Sequence, residues 1–122
     1  MKRLMIVDDS SIMRRAIQKY LRDLEVEVVG AASNGRAAIE LFRKTRPALV
    51  TMDVTMPELD GLACLKELLS IDDSVAVVVI TALSDPETGL KAVRNGARGF
   101  LNKPFTPEQL RAEIAPLLGG AP

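Results

Sequence analysis

Five short apolar runs rich in β-branched residues recur along the chain: Leu4 to Val7, Val26 to Ala31, Ala48 to Met52, Val75 to Ile80 and a weaker Gly99 to Asn102. Each is followed by a segment whose apolar residues return every three or four positions. After the first run these are Ile12, Ala16, Ile17, Leu21 and Leu24, with Arg14, Arg15, Lys19 and Arg22 set mainly between them, which predicts an amphipathic helix. Asn34-Gly35 opens the second such segment, which carries Ile39 and Phe42 and stops before Pro47. Asp60-Gly61 opens the third, with Leu62, Leu65, Leu68 and Leu69. Ser84-Asp85-Pro86 reads as a cap followed by a first-turn proline. Thr106-Pro107-Glu108-Gln109 repeats that signature ahead of Leu110, Ile114 and Leu117, and Pro116 with Gly119-Gly120 is expected to end the last helix.

Strict alternation of strand and helix predicts an α/β fold, a parallel sheet with helices on both faces. The runs Ala48 to Met52 and Val75 to Ile80 are apolar nearly throughout, as strands buried on both faces must be. In such sheets ligands bind outside the carboxyl ends of the strands, and here those ends are polar. The first strand runs into Asp8-Asp9, the third into Asp53, the fourth into Thr81 and the fifth into Lys103-Pro104.

Taken singly, each of these residues has an ordinary role: an Asp caps a helix, a Thr bonds locally, a Lys is solvated. Their concentration on one edge changes the reading. If the first and third strands are neighbours, three carboxylates share one crevice and repel by roughly several kcal/mol, so they require counter-charge. Hard oxygen ligands suit Mg²⁺, and Lys103 brings a permanent cation. A carboxylate so placed can act as a nucleophile on a phosphoryl group. Metal and lysine would neutralise the transferring oxygens while a hydroxyl such as that of Thr81 donates to one of them.

Composition narrows the alternatives. Sixteen Lys plus Arg balance sixteen Asp plus Glu, with one Cys and no His or Trp. Without histidine there is no Ser-His-Asp or Cys-His nucleophile, no imidazole-ligated zinc and no phosphohistidine on this chain. Cys64 has no disulfide partner and no histidine to activate it, which fits a small buried residue in a reducing compartment. The apolar start, Leu4 to Val7, is too short for a signal peptide. The longest uncharged run, Ser74 to Ser84, is roughly half of a membrane-spanning helix. Balanced charge without a basic cluster leaves no footprint for nucleic acid. One cytoplasmic domain over residues 1–122 is expected, long enough to bury a core without staples.

The segments IVDDS, MDVTMPELDG, ITA and GARGFLNKPF, in this order and at these spacings, resemble the receiver domains of bacterial two-component response regulators, the CheY-like family. The similarity spans essentially the whole chain. It implies a doubly wound, flavodoxin-like sheet of order 2-1-3-4-5 flanked by five helices. It also implies that Asp53 is the phosphoacceptor, that Asp9 and Asp53 bind Mg²⁺ (or Mn²⁺) with the backbone carbonyl of Thr55, and that Asp8 holds the ion through water. Thr81 and Lys103 would contact the phosphoryl oxygens, and Phe100 matches an aromatic whose rotamer follows activation. Many relatives carry Tyr there, so a phenol hydroxyl has no part in this chain. Thr55 and Leu83 fall where the family tunes access of water to the acyl phosphate. An apolar Leu83 cannot orient a hydrolytic water, so slow self-dephosphorylation is expected; phosphate release after donor removal measures it, and turnover as fast as in Leu83→Glu would contradict it.

The resemblance further implies a phosphorylation-driven population shift. Thr81 moves toward the phosphoryl group, Phe100 fills the vacated space, and the face formed by the fourth helix, fifth strand and fifth helix changes for a protein target, with Lys91, Arg94 and Arg98 as candidate contacts. The donor would be a sensor histidine kinase and the pathway chemotaxis or motility. The expected protein is a signalling module rather than an enzyme, monomeric or dimerising on phosphorylation. A phosphorelay intermediate and a receiver cut from a larger regulator remain alternatives, with residues 119–122 as a tail or the start of a linker. A haloacid dehalogenase-type phosphatase would need a second Asp two residues after the nucleophile, where Thr55 stands. A flavodoxin-like electron carrier would need Ser, Thr and Gly around a flavin phosphate, which Asp8-Asp9 would repel.

Overall fold

A computed structural model of the chain describes residues 1–55, 61–82 and 84–118. Strands β1 (Lys2–Val7), β2 (Val26–Ala32), β3 (Leu49–Asp53), β4 (Ala76–Ala82) and β5 (Gly99–Lys103) alternate with helices α1 (Ser11–Tyr20), α2 (Gly35–Thr45), α3 (Gly61–Ile71), α4 (Pro86–Arg94) and α5 (Pro107–Leu118). All strands are parallel, in the order β2-β1-β3-β4-β5. The expected doubly wound architecture is therefore the observed one, and the direction in which successive strands are added reverses between β1 and β3.

Side chains that alternate along each strand feed two cores. Leu4, Ile6, Leu49, Val78, Ile80 and Leu101 pack with Ile17 and Leu21 of the α1 segment and Leu110 and Ile114 of α5. Met5, Val7, Val50, Met52, Val77 and Val79 pack with Phe42 of α2, Leu65 and Leu68 of α3 and Ala92 of α4. Thus α1 and α5 cover one face, and α2, α3 and α4 the other. Every side chain of β3 is buried, which accounts for its largely apolar spelling, with Thr51 and Asp53 as its buried polar members.

Helix starts follow the sequence signals. Ser10 accepts from the Met13 amide at 3.2 Å and Asn34 from Ala37 at 2.8 Å, each satisfying a first-turn donor that the helix itself leaves unpaired. Asp85, rather than Ser84, caps α4, and the two hydrogen bonds it takes from Thr88 hold its carboxyl below the ordinary 3.8. Thr106 and Gln109 bond reciprocally, at 2.8 and 3.1 Å, in the capping box that opens α5.

Three expectations need correction. The first helix stops at Tyr20, and Leu24 packs from the following turn. Ile12, read as part of the apolar stripe, is 80% exposed, because the stripe that faces the sheet is set by Ile17 and Leu21. Pro116 lies within α5, which runs on to Leu118. Leu117 and Leu118 pack against the core, so tertiary contact carries the final turn past the residue that disfavours it. Among the described residues, no helix is long and apolar enough to cross a membrane.

Candidate functional site

The pleat sorts the polar strand ends onto two faces. Leu4 and Ile6, Leu49, and Leu101 belong to the core under α1 and α5, so the two-residue period brings Asp8, Asp53 and Lys103 out on that face. Val79 and Phe100 pack on the α2-α3-α4 side, so Thr81 and Asn102 emerge there. Because β1 and β3 are neighbours with Val7 opposite Met52, Asp8 and Asp53 come off adjacent strands at the same level.

On the first face the two buried carboxylates are provisioned differently. Asp53 is 1% exposed. Its Oδ1 accepts from the Thr55 amide at 2.8 Å and the Thr55 hydroxyl at 2.5 Å, and its Oδ2 from Lys103 Nζ at 2.5 Å. Asp8 is fully buried, with Oδ1 accepting from the Ser10 amide at 2.9 Å. Its Oδ2 stands 3.9 Å from Lys103 Nζ and has no hydrogen-bond partner among the described residues. Burial pushes the Asp8 carboxyl above its ordinary 3.8, and the charges of Asp53 and Asp9 add to the rise, against the Ser10 amide and Lys103. Arg14, one turn into α1, donates from Nη1 to the Asp8 carbonyl at 2.6 Å and so fixes the loop that carries Asp8 and Asp9.

One carboxylate oxygen from each of Asp8, Asp9 and Asp53 lies within 4.8 Å of the others, with Asp9 open to solvent. A buried carboxylate oxygen with no donor, inside a set made only of hard oxygens, fits a hard divalent cation such as Mg²⁺ and does not fit a thiophilic metal.

On the second face the end groups of β4 and β5 are neutral. The Thr81 hydroxyl is buried and donates to the Leu101 carbonyl at 3.4 Å, while Asn102 Nδ2 donates to Thr81 Oγ1 at 2.9 Å. The Phe100 ring is half-buried against α4, where Gly89 makes room for it. A Cβ at Gly89 would meet Phe100 Cδ2 at 2.9 Å.

The same residues mark a known family. The profile of the response regulator receiver domain matches residues 4–115. The chain belongs to the response regulator receiver domain family. It is 38% identical over 109 residues to the chemotaxis protein CheY of Thermotoga maritima, covering 89% of this chain and 91% of that protein. It is 39% identical over 112 residues to the chemotaxis protein CheY of Bacillus subtilis, covering 92% and 93%. The crystal structure of a receiver domain protein from Clostridium thermocellum superposes with a TM-score of 0.87 at 27% identity, over 96% of this chain and 94% of that one.

In this receiver domain Asp8, Asp9, Asp53 and Lys103 converge as expected from the strand ends, and the Lys103-Pro104 bond is cis. Thr81 lies on the same edge of the sheet but on the opposite face. Thr55 touches Asp53 through its amide and hydroxyl. Leu83 and Asp60 lie outside the described residues, and so do residues 119–122. Sequence reasoning did not single out Asn102 or give Arg14 more than a place on a polar helix face. Asn102 carried one usable signal, an amide inside an apolar strand run.

Proposed function

We propose that this receiver domain is a phosphorylation-controlled signalling switch whose acceptor is Asp53. The observation that carries the reading is the Asp53 carboxylate: buried at the end of β3, paired with Lys103 at 2.5 Å, and sharing its crevice with Asp8 and Asp9. An Asp53 oxygen attacks the phosphorus of a phosphohistidine on a sensor kinase, the P–N bond breaks, and the imidazole leaves with the bonding pair and takes up a proton. The product is an acyl phosphate on Asp53. The Lys103 ammonium neutralises charge on the transferred oxygens, and the Thr81 hydroxyl donates to one of them. Asp8, Asp9 and Asp53, with the Thr55 carbonyl, would hold Mg²⁺, which supplies further positive charge to those oxygens when bound. This chain catalyses only its own modification, as a signalling protein rather than an enzyme.

The added phosphoryl charge, roughly −1.5 to −2, shifts the population toward a state with Thr81 turned to the site and Phe100 repacked. The readout is the α4-β5-α5 face. There Leu90 and Val93, 52% and 43% exposed, stand beside Lys91 and Arg94, a combination suited to an acidic, apolar protein segment. The similarity to two chemotaxis proteins supports control of chemotaxis or motility as the proposed pathway.

Incubation with acetyl phosphate, with and without Mg²⁺, followed by intact-mass measurement, tests the assignment. A gain of one phosphoryl group that requires the metal and vanishes in Asp53→Asn is expected. Modification that persists in Asp53→Asn overturns it.

A further inference from the structure

We infer that Asn102 is a positioning residue that tethers the Thr81 hydroxyl in the unphosphorylated state and so sets how readily the switch is thrown. The inference rests on the reading of Asp53 as acceptor. Thr81 and Asn102 are register partners across β4 and β5, and both side chains leave the sheet on the α4 side. Asn102 Nδ2 lies 2.9 Å from Thr81 Oγ1 and 3.5 Å from the Ala82 carbonyl. Two acceptors on β4 orient the amide nitrogen toward that strand. The Thr81 hydroxyl accepts from Asn102 and sends its own proton to the Leu101 carbonyl over a long 3.4 Å. Both interactions hold it against β5, on the face away from Asp53 and Lys103.

To donate to a phosphoryl oxygen on Asp53, the hydroxyl must give up the Leu101 carbonyl and pull away from Asn102. Asn102 is half-buried, so the amide it leaves behind is not freely solvated, and that cost opposes activation. Phe100 precedes Asn102 by two residues on the same face, with its ring against Gly89. The amide therefore borders the space the ring must cross, and it stabilises the resting arrangement at both ends. Removing the amide favours the activated population without touching the acceptor, the metal ligands or Lys103.

Beryllofluoride with Mg²⁺, which mimics the phosphoryl group, is the probe. One net hydrogen bond corresponds to an affinity about three- to ten-fold tighter in Asn102→Leu than in the unmutated protein. In the Thr81→Val background, where the tether has no hydroxyl to hold, Asn102→Leu should change affinity by less than about two-fold. In the free, metal-free protein, the Asn102 side-chain amide protons should shift in NMR spectra on Thr81→Val, and the Phe100 ring signals should shift on Asn102→Leu. Unchanged affinity in Asn102→Leu, a gain that survives in Thr81→Val, or Asn102 amide signals indifferent to Thr81→Val each overturn the tether while Asp53-dependent binding stands. Absence of Asp53-dependent binding in the unmutated protein overturns the acceptor assignment itself, and the tether's role falls with it.

Discussion

At the carboxyl edge of one sheet the two faces are built on opposite principles. The α1/α5 face gathers three carboxylates and one ammonium. The α4 face, on the other side of the pleat, holds a neutral hydroxyl, an amide and a ring. The difference separates chemistry from transmission. Charge must sit where oxygen ligands and a counter-cation converge, since unpaired charge in a dry layer is costly. A neutral hydrogen bond and an aromatic ring exchange positions at small cost, which suits a segment that has to change state. Under the proposed function, Thr81 serves both faces.

The largest effect should come from removing the cation of the charged face. Lys103→Met leaves Asp8, Asp9 and Asp53 with no ammonium, and the metal-free protein should lose about 3 kcal/mol, the low end for a broken buried pair because the lysine side chain is 28% exposed. Urea unfolding at neutral pH measures this, and Asp53→Asn in the same chain should recover part of the loss. A stability within about 0.5 kcal/mol of the unmutated protein would mean that the carboxylates are solvated rather than sharing one dry site.

Next in size is the metal itself. Mg²⁺ at a hundred times its dissociation constant should stabilise the fold by about 2.7 kcal/mol. Thermal melts with and without the ion read it, and the increment should collapse in Asp8→Asn. An increment that survives would take Asp8 out of the ion's environment.

The same Asp8→Asn substitution should raise the stability of the metal-free protein by about 1–2 kcal/mol, because it removes a buried charge whose Oδ2 has no hydrogen-bond donor among the described residues. Its pH dependence has a defined sign. Burial raises the folded-state pKa of Asp8 above 3.8, so the acid favours folding when protonated, and that contribution is lost as pH rises through the raised value. The advantage of Asn is therefore greatest at neutral pH and shrinks on acidification. A gain that is constant from neutral to acid pH would contradict the placement of this charge.

The smallest change in stability belongs to the neutral face. Gly89→Ala gains roughly 1 kcal/mol of helix propensity and loses a similar amount by driving a methyl into the Phe100 ring. Net stability should stay within about 1 kcal/mol, yet the ring must move, and Phe100 chemical shifts should change while those of the Asp53 loop do not. A ring left in place would show that α4, rather than Phe100, yields.

Most of the charged face was legible before any coordinates. Apolar runs locate strands, and the residue after each run locates an edge, so Asp8, Asp9, Asp53 and Lys103, with Thr81 on the same edge, could be placed together from one-dimensional information. The adjacency of β1 and β3, which makes the carboxylates neighbours, was implied by family resemblance, because alternation leaves strand order open. The neutral face was opaque for a physical reason. The Asn102–Thr81 bond joins residues 21 apart and exists only in one strand register. Local propensity also failed at Pro116, where packing of Leu117 and Leu118 outweighs a helix breaker.

The pairing of Lys103 with Asp53 also bears on how the chain is made. The two residues are 50 apart, and β5 is the last strand to leave the ribosome. Until β5 docks, the carboxylates that β1 and β3 bring together lack the Lys103 ammonium. Bringing β1 and β3 together is therefore self-repelling, and Lys103 offsets part of that repulsion when β5 docks. The acidic pocket thus ties the stability of the sheet to the docking of its last strand, through the Lys103 contacts with Asp53 and Asp8.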